Sequence, residues 1–262
     1  MLKFKHFLTA AAAVSFIAAP AAFAEKVTVG ATPVPHAEIL EFIQPELKKQ
    51  GYDLEVTVFN DYVQPNLTVS DNQLDTNFFQ HRPYLENFVD EHGSDLVEVA
   101  AIHIEPMGIY SRKVKDLKEL KDGATVSIPN DPTNGGRALL LLQSAGLLTL
   151  VDPTSITATV QDIKDNPKKL KVKELEAPQL PRSLDDVDIA IINTNYAIDA
   201  ALNPLKDAIY IENSESPYVN ILVASSKSKD KKGVQALIKA LKSDAVRTFI
   251  NDKYQGAVVP AF

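Results

Sequence analysis

The chain has 262 residues, a formal charge of −7 at pH 7 and no cysteine. A disulfide framework and a thiolate metal site are therefore excluded, and the acidic balance argues against nucleic acid or anionic lipid, whose phosphates favour basic surfaces. With 45% hydrophobic residues the composition is that of a globular protein with room for one large domain or two modest lobes.

The first residues read as leader rather than fold. Lys3 and Lys5 precede the apolar run Phe7–Ala19, and Ala22-Phe23-Ala24 precedes Glu25. That is the order of a secretory signal peptide, 1–24, cut after Ala24. The run is too short to span a bilayer, and no other stretch approaches about 18 apolar residues.

Lys26–Thr32 then alternates as a strand. His36–Gln50 carries Ile39, Leu40, Phe42, Ile43 and Leu47 at helical spacing, and Gly51 stops it. Leu54–Phe59 predicts a second strand, Val63–Asp71 a short helix, Leu74–Gln80 a third strand, and His81–His92 a helix ended by Gly93. Strand, helix, strand, helix in this order predicts right-handed parallel units. Leu96–Ser111 is a long β-rich run broken at Pro106; such a run can leave one sheet and enter another, with Pro106 and Gly108 as hinge. Lys115–Lys121 predicts a short helix, Leu170–Glu176 alternates again, and Pro178–Asp186 is loop or short helix. Val187–Ile192 is a buried strand that leads through Asn193-Thr194-Asn195 into a helix from Tyr196 to Leu202. Ala208–Ile211 is brief, Tyr218–Ala224 is a strand and candidate return crossing, and the tail predicts helices over Lys231–Leu241 and Asp244–Tyr254. The whole predicts an α/β fold of two lobes joined by two crossings, with 25–105 and 224–262 in one lobe and 106–223 in the other.

The stretch around which the site is expected runs from Thr125 to Gln143. Val126 and Ile128 alternate as a strand, and Pro129-Asn130-Asp131-Pro132 breaks it. Thr133 or Asn134 can cap a helix starting at Gly135-Gly136, where exposed N–H groups would receive an anion. Arg137 in the first turn opposes the helix dipole unless it faces an anion, so a ligand carboxylate is one partner for it. The alternative is a surface arginine paired with Asp131 or a nearby acid.

Polar and aromatic residues recur just past strand ends: Asn60-Asp61-Tyr62, Asn77-Phe78-Phe79-Gln80-His81 and Asn193-Thr194-Asn195-Tyr196, with Asn220 as a further amide. Ligands of open α/β sheets bind beyond the carboxyl ends of strands, so these clusters should converge with Arg137 on one cleft. Amides offer donors and acceptors suited to a zwitterion, and rings suit an apolar or thioether tail. Each alone has an ordinary structural reading as a turn former, a core ring or a helix-start histidine. Beyond the leader the histidines are His36, His81, His92 and His103, with no local metal-ligand spacing, and no nucleophile, Walker or dinucleotide motif is present. No catalytic residue, cofactor or metal is therefore expected.

FNDYVQPN (Phe59–Asn66), FFQHRPYL (Phe78–Leu85), IPNDPTNGGRALLLLQ (Ile128–Gln143), ELEAPQLPRSLDD (Glu174–Asp186) and ESPYVN (Glu215–Asn220) resemble the methionine-binding proteins of the MetQ/NlpA type, extracytoplasmic components of a methionine ABC importer. The resemblance covers nearly all of the chain beyond the leader. It implies a two-lobed periplasmic solute-binding protein that captures methionine, L-methionine by expectation, and delivers it as a monomer to a permease with its ATPase. It also implies that Arg137, in the N-x-G-R segment with Asn134, holds the ligand carboxylate. Asn193 and Asn220 would hold the polar end, and Tyr62, Phe79 and His81 would form the aromatic wall. A sensor or enzyme on the same fold is the alternative. Most such relatives carry a cysteine at the cleavage site where this chain has Ala24-Glu25, so a soluble, unanchored periplasmic protein is expected.

Overall fold

The computed structural model describes residues 24–213 and 216–262; the expected signal peptide lies, apart from Ala24, outside the described residues. The strands are β1 (Glu25–Ala31), β2 (Tyr52–Val58), β3 (Thr76–His81), β4 (Leu96–Ile104), β5 (Gly108–Tyr110), β6 (Thr125–Pro129), β7 (Thr149–Leu150), β8 (Ile163–Asp165), β9 (Lys171–Leu175), β10 (Ile189–Ile192), β11 (Ala208–Ile211), β12 (Val219–Ser225) and β13 (Val259–Pro260). The α-helices are α1 (Glu38–Lys49), α2 (Gln64–Ser70), α3 (Arg82–His92), α4 (Pro132–Ser144), α5 (Leu180–Ser183), α6 (Thr194–Asp199), α7 (Pro204–Asp207), α8 (Lys232–Leu241) and α9 (Asp244–Tyr254).

Two sheets divide the molecule into two lobes. The first has the order β13-β4-β12-β3-β1-β2 and the second β11-β5-β10-β6-β9. The expected parallel units are present as β2-β1-β3, while β12 and β4 extend that sheet antiparallel. Each sheet is covered on both faces. On the first, Ile39, Leu40, Ile43 and Leu47 of α1 join Leu237 and Ile250 of the tail helices over one face. Val69, Leu85 and Phe88 cover Ile221 and Val223 on the other. In the second lobe the apolar run of α4 packs over Val126, Ile128, Ile189 and Ile191. The opposite face carries Leu180, Ala190, Ile192 and Tyr196. Separate buried apolar clusters on the two faces of each sheet are what keep the lobes distinct bodies.

Pro106 breaks the β-rich run as expected. β4 belongs to the first sheet and β5 to the second, so Glu105-Pro106-Met107 is the outgoing crossing. The return differs from the expected boundary at 223/224. All of β12 lies in the first sheet, so the chain comes back between Ile211 and Val219. The apolar alternation of Tyr218–Ala224 marks a strand but not the sheet that receives it. Met107 and Glu212 tie the two crossings together through the bond from Glu212 N–H to the Met107 carbonyl, 2.8 Å.

The central helix also differs from expectation. α4 begins at Pro132, and its cap is Asp131, whose carboxylate accepts the Asn134 N–H at 3.0 Å. Proline at the first helical position needs no acceptor, so Pro132 opens the helix instead of preceding it. Gly135 and Gly136 therefore lie inside the helix, and the Gly135 N–H is bonded to the Asp131 carbonyl at 2.8 Å. The glycine pair is no anion cradle. Gly136 serves a close approach: a Cβ there would stand 2.4 Å from the Ile156 carbonyl oxygen.

Candidate functional site

Between the lobes lies a narrow cavity lined by residues of both. Tyr62, Phe79, His81, Asn134, Arg137, Asn193 and Asn220, the seven residues expected at the site, all line it. Gln80, Tyr84, Glu105, Thr194 and Asn195 complete the lining. The lobes meet across it: Tyr62 OH donates to Asn195 Oδ1 at 2.6 Å, His81 Nε2 meets Asn134 Oδ1 at 3.0 Å, and Tyr196 OH donates to the Asn60 carbonyl at 3.2 Å.

Arg137 is only 3% exposed, which sets aside the surface alternative, and it sits one turn deeper in α4 than expected. Its partner is an acid distant in sequence. Nε and Nη2 donate to the two Glu212 oxygens at 3.1 and 2.5 Å, and Nη2 also donates to the Glu105 carbonyl at 2.7 Å. The Tyr218 ring lies under the guanidinium, its centroid 4.2 Å away. Burial works against the charge, yet Glu212 more than offsets it and the pKa lies above the ordinary arginine value. Nε and Nη2 are thus turned to the crossings, while the residue also lines the cavity. Glu212 went unread in the sequence because nothing local marks it as Arg137's partner.

His81 ends β3 and caps α3: its Nδ1 accepts the Tyr84 N–H at 3.2 Å. Its Nε2–H therefore donates to Asn134 Oδ1. Burial first, then the Arg137 charge, push its pKa down to about 3, so it is a neutral linker between lobes. Asn134 lines the cavity, but its amide is engaged within the protein. Oδ1 also accepts from Asn193 Nδ2 at 2.7 Å, and Nδ2 donates to the Asp131 carboxylate at 2.9 and 3.0 Å. Asn193 is left with a buried Oδ1 that meets no donor among the described residues.

Phe78 is core and Phe79 faces the cavity, as strand alternation requires. Phe79, Tyr62 and Tyr84 form the aromatic wall, with centroid distances of 5.9 Å from Tyr62 to Phe79 and 5.8 Å from Phe79 to Tyr84. Asn220 alternates with Val219 and Ile221, which enter the core. Its Oδ1 meets His36 Nε2 at 3.1 Å.

Glu105, like Tyr84, is a lining residue that the sequence pattern does not single out. An acid directly before the hinge proline was its only local signal. Its carboxyl is buried, which raises its pKa, while His36, the charge of Arg137 and the Asn195 N–H act in the opposite direction. Together with His36 and His103 it puts three possible metal-donor atoms within 4.8 Å of one another, a grouping that local histidine spacing could not reveal. Each imidazole already directs Nε2 at an oxygen of the protein, however.

The family model described as NlpA lipoprotein matches residues 27–262. The chain belongs to this family. The "D-methionine-binding lipoprotein MetQ" of Salmonella typhi is 48% identical over 225 residues, 85% of this chain and 82% of the relative. A nutrient-binding protein from Burkholderia cenocepacia, solved bound to methionine, has a TM-score of 0.87 at 46% identity and covers 90% of this chain and 100% of its own. A periplasmic substrate-binding protein of an ABC transporter from Coxiella burnetii has a TM-score of 0.85 at 41% identity, over 90% of this chain and 100% of its own. The NlpA family corrects the expected localisation. It is a family of lipoproteins by description, and the Salmonella relative is named one, so the expectation of a soluble, unanchored periplasmic protein does not stand.

Proposed function

We propose that this protein is the solute-binding component of a methionine ABC importer, taking methionine between its lobes and delivering it to a membrane permease with its ATPase. The observation that carries the reading is the division of one cavity into a charged, amide-rich end and an aromatic end. A zwitterionic amino acid with a thioether tail matches that division. Arg137 and the Asn220 NH₂ supply donors for the carboxylate, and the unpartnered Asn193 Oδ1 and the Glu105 carboxylate supply acceptors for the ammonium. Tyr62, Phe79 and Tyr84 receive the tail, where sulfur–ring contacts contribute roughly 0.3–1.5 kcal/mol each.

The site binds rather than transforms. Its carboxylate and guanidinium are held by neighbours, and closure of the lobes buries the ligand, with binding energy selecting the closed state. In this reading the chain acts as a monomer and residues 1–24 are its export signal. Mass spectrometry of the small molecule released when purified protein is denatured tests the proposal. Methionine is the expected mass; a different amino acid, or a solute without an amino-acid backbone, would overturn it. The Salmonella relative is named for D-methionine and the sequence reading favours L-methionine, so calorimetry is run with each enantiomer separately.

A further inference from the structure

Behind the polar end of the cavity lies a second layer of side chains that does not line it. His36, in the turn Pro33–Ala37, accepts from Thr32 Oγ1 at Nδ1 (2.8 Å) and so directs Nε2–H at Asn220 Oδ1 (3.1 Å). His103, on β4 opposite Asn220 in the sheet register, directs Nε2–H at Glu105 Oε1, 2.7 Å away. His36 Nε2 is 3.4 Å from the same oxygen. The two rings stand 5.0 Å apart and both meet the Phe78 ring edge-on, so packing fixes their tilt. Both are essentially unexposed, at 1% and 0%.

We propose that His36 and His103 are positioning residues that set the ligand class of the cavity: His103 holds the Glu105 carboxylate as an aimed, ionised acceptor, and His36 holds the Asn220 amide with its NH₂ toward the ligand. The inference rests on the methionine reading above. A buried carboxylate without a donor takes up a proton, and it then offers an O–H where a ligand ammonium needs an acceptor. An amide without a fixed partner can present either end, and the wrong end sets oxygen against carboxylate. Both imidazoles are suited to this task because burial keeps them neutral, with pKa values pushed down to about 4 for His36 and about 3 for His103. The Nδ1 of His103 has no partner among the described residues. Protonation there would bury a second N–H with no acceptor, so the ring stays a single donor.

The test compares methionine with its des-amino analogue, 4-(methylthio)butanoate, by calorimetry on wild type, His103→Leu and His103→Gln, each checked for a cooperative thermal melt. Wild type should prefer methionine strongly. His103→Leu should lose at least tenfold in methionine affinity while the analogue changes little, so the preference collapses. His103→Gln restores an N–H donor and should recover most of the preference, and it serves alone if the leucine variant does not fold. An equal loss for both ligands would make His103 merely structural and overturn the proposal. So would collapse of the preference in a folded His103→Gln variant. Zinc that raises the wild-type melting temperature, an effect abolished in His103→Gln, would also overturn it by marking the cluster as a metal site. Wild type that binds neither compound would instead sink the methionine reading itself.

Discussion

The two ends of the cavity are built by different means. At the polar end Arg137 is fixed by Glu212, by the Glu105 carbonyl and by the Tyr218 ring, all contributed by the two crossings. At the aromatic end, Tyr62, Phe79 and Tyr84 pack ring on ring within the first lobe, and Tyr62 reaches the second through its hydrogen bond to Asn195 and its contact with the Tyr196 ring, 5.0 Å away. The polar end is thus organised by the segments about which the lobes would turn, and the aromatic end is completed only by closure. A charged group in a buried site must be oriented before the ligand arrives, because leaving it unpaired there is costly; apolar rings carry no such demand.

The largest separation of the two ends should come from Arg137→Ala. Truncating one member of a buried charge pair costs about 2–5 kcal/mol of binding. The same change leaves Glu212 without its guanidinium, so the ligand-free melting temperature should fall too. Calorimetry and a melt on one preparation read both quantities. Near wild-type affinity would show that the polar end is not where the carboxylate sits.

Acid should attack the polar end selectively. His36, His81 and His103 have folded pKa values of about 4, 3 and 3, against roughly 6.5 in the unfolded chain. Groups depressed on folding contribute stability that is full above the unfolded pKa and is lost as pH falls through the folded one. The unfolded chain therefore gains protons first, and by pH 5 each histidine should cost roughly 2 kcal/mol of stability. Glu105 works the other way, because its raised pKa relieves the cost of a buried charge at low pH. Urea denaturation between pH 7 and pH 5 measures the sum. His36→Gln should flatten the slope, and an unchanged slope would mean that His36 is not buried neutral.

How far the sequence alone reaches is clear from individual residues. Strand alternation sets Asn220 on the face opposite Val219 and Ile221, and Phe79 opposite Phe78, because a period of two leaves no other choice. The sequence pattern starts the helix after β6 a turn too late: Asp131-Pro132 carries a cap followed by a first-turn proline, but beside Pro129 the pair reads as a breaker. Glu105 and Glu212 were illegible for a different reason. Arg137, Glu105 and Glu212 come from three segments that meet only when both sheets have formed, and no periodicity encodes such a meeting. The boundary at 223/224 failed similarly, since a strand's pattern does not name its neighbours.

Smaller effects probe the aromatic end. Tyr62→Phe keeps the ring and deletes the bond to Asn195, which should weaken methionine binding by about 0.5–1.5 kcal/mol. Ligand-free stability should change less, since the bond belongs to the closed form; equal losses in both would show that closure does not depend on it. Phe79→Leu should reduce methionine affinity by about 1 kcal/mol through the lost sulfur–ring contact. The same variant should bind norleucine nearly as well as wild type does, and an equal loss for both ligands would reduce Phe79 to shape alone.

The measurement that bears most directly on the account is a calorimetric titration of ligand-free protein with methionine and with methionine methyl ester. The two share the amino group and the thioether, and only methionine carries the carboxylate proposed to meet Arg137. One methionine per chain should bind, and the ester should bind at least a hundredfold more weakly, within the range expected for a charge pair left unmade in a buried site. Equal affinity for the two would contradict the assignment of the polar end and, with it, the reading of this cavity as an amino-acid site.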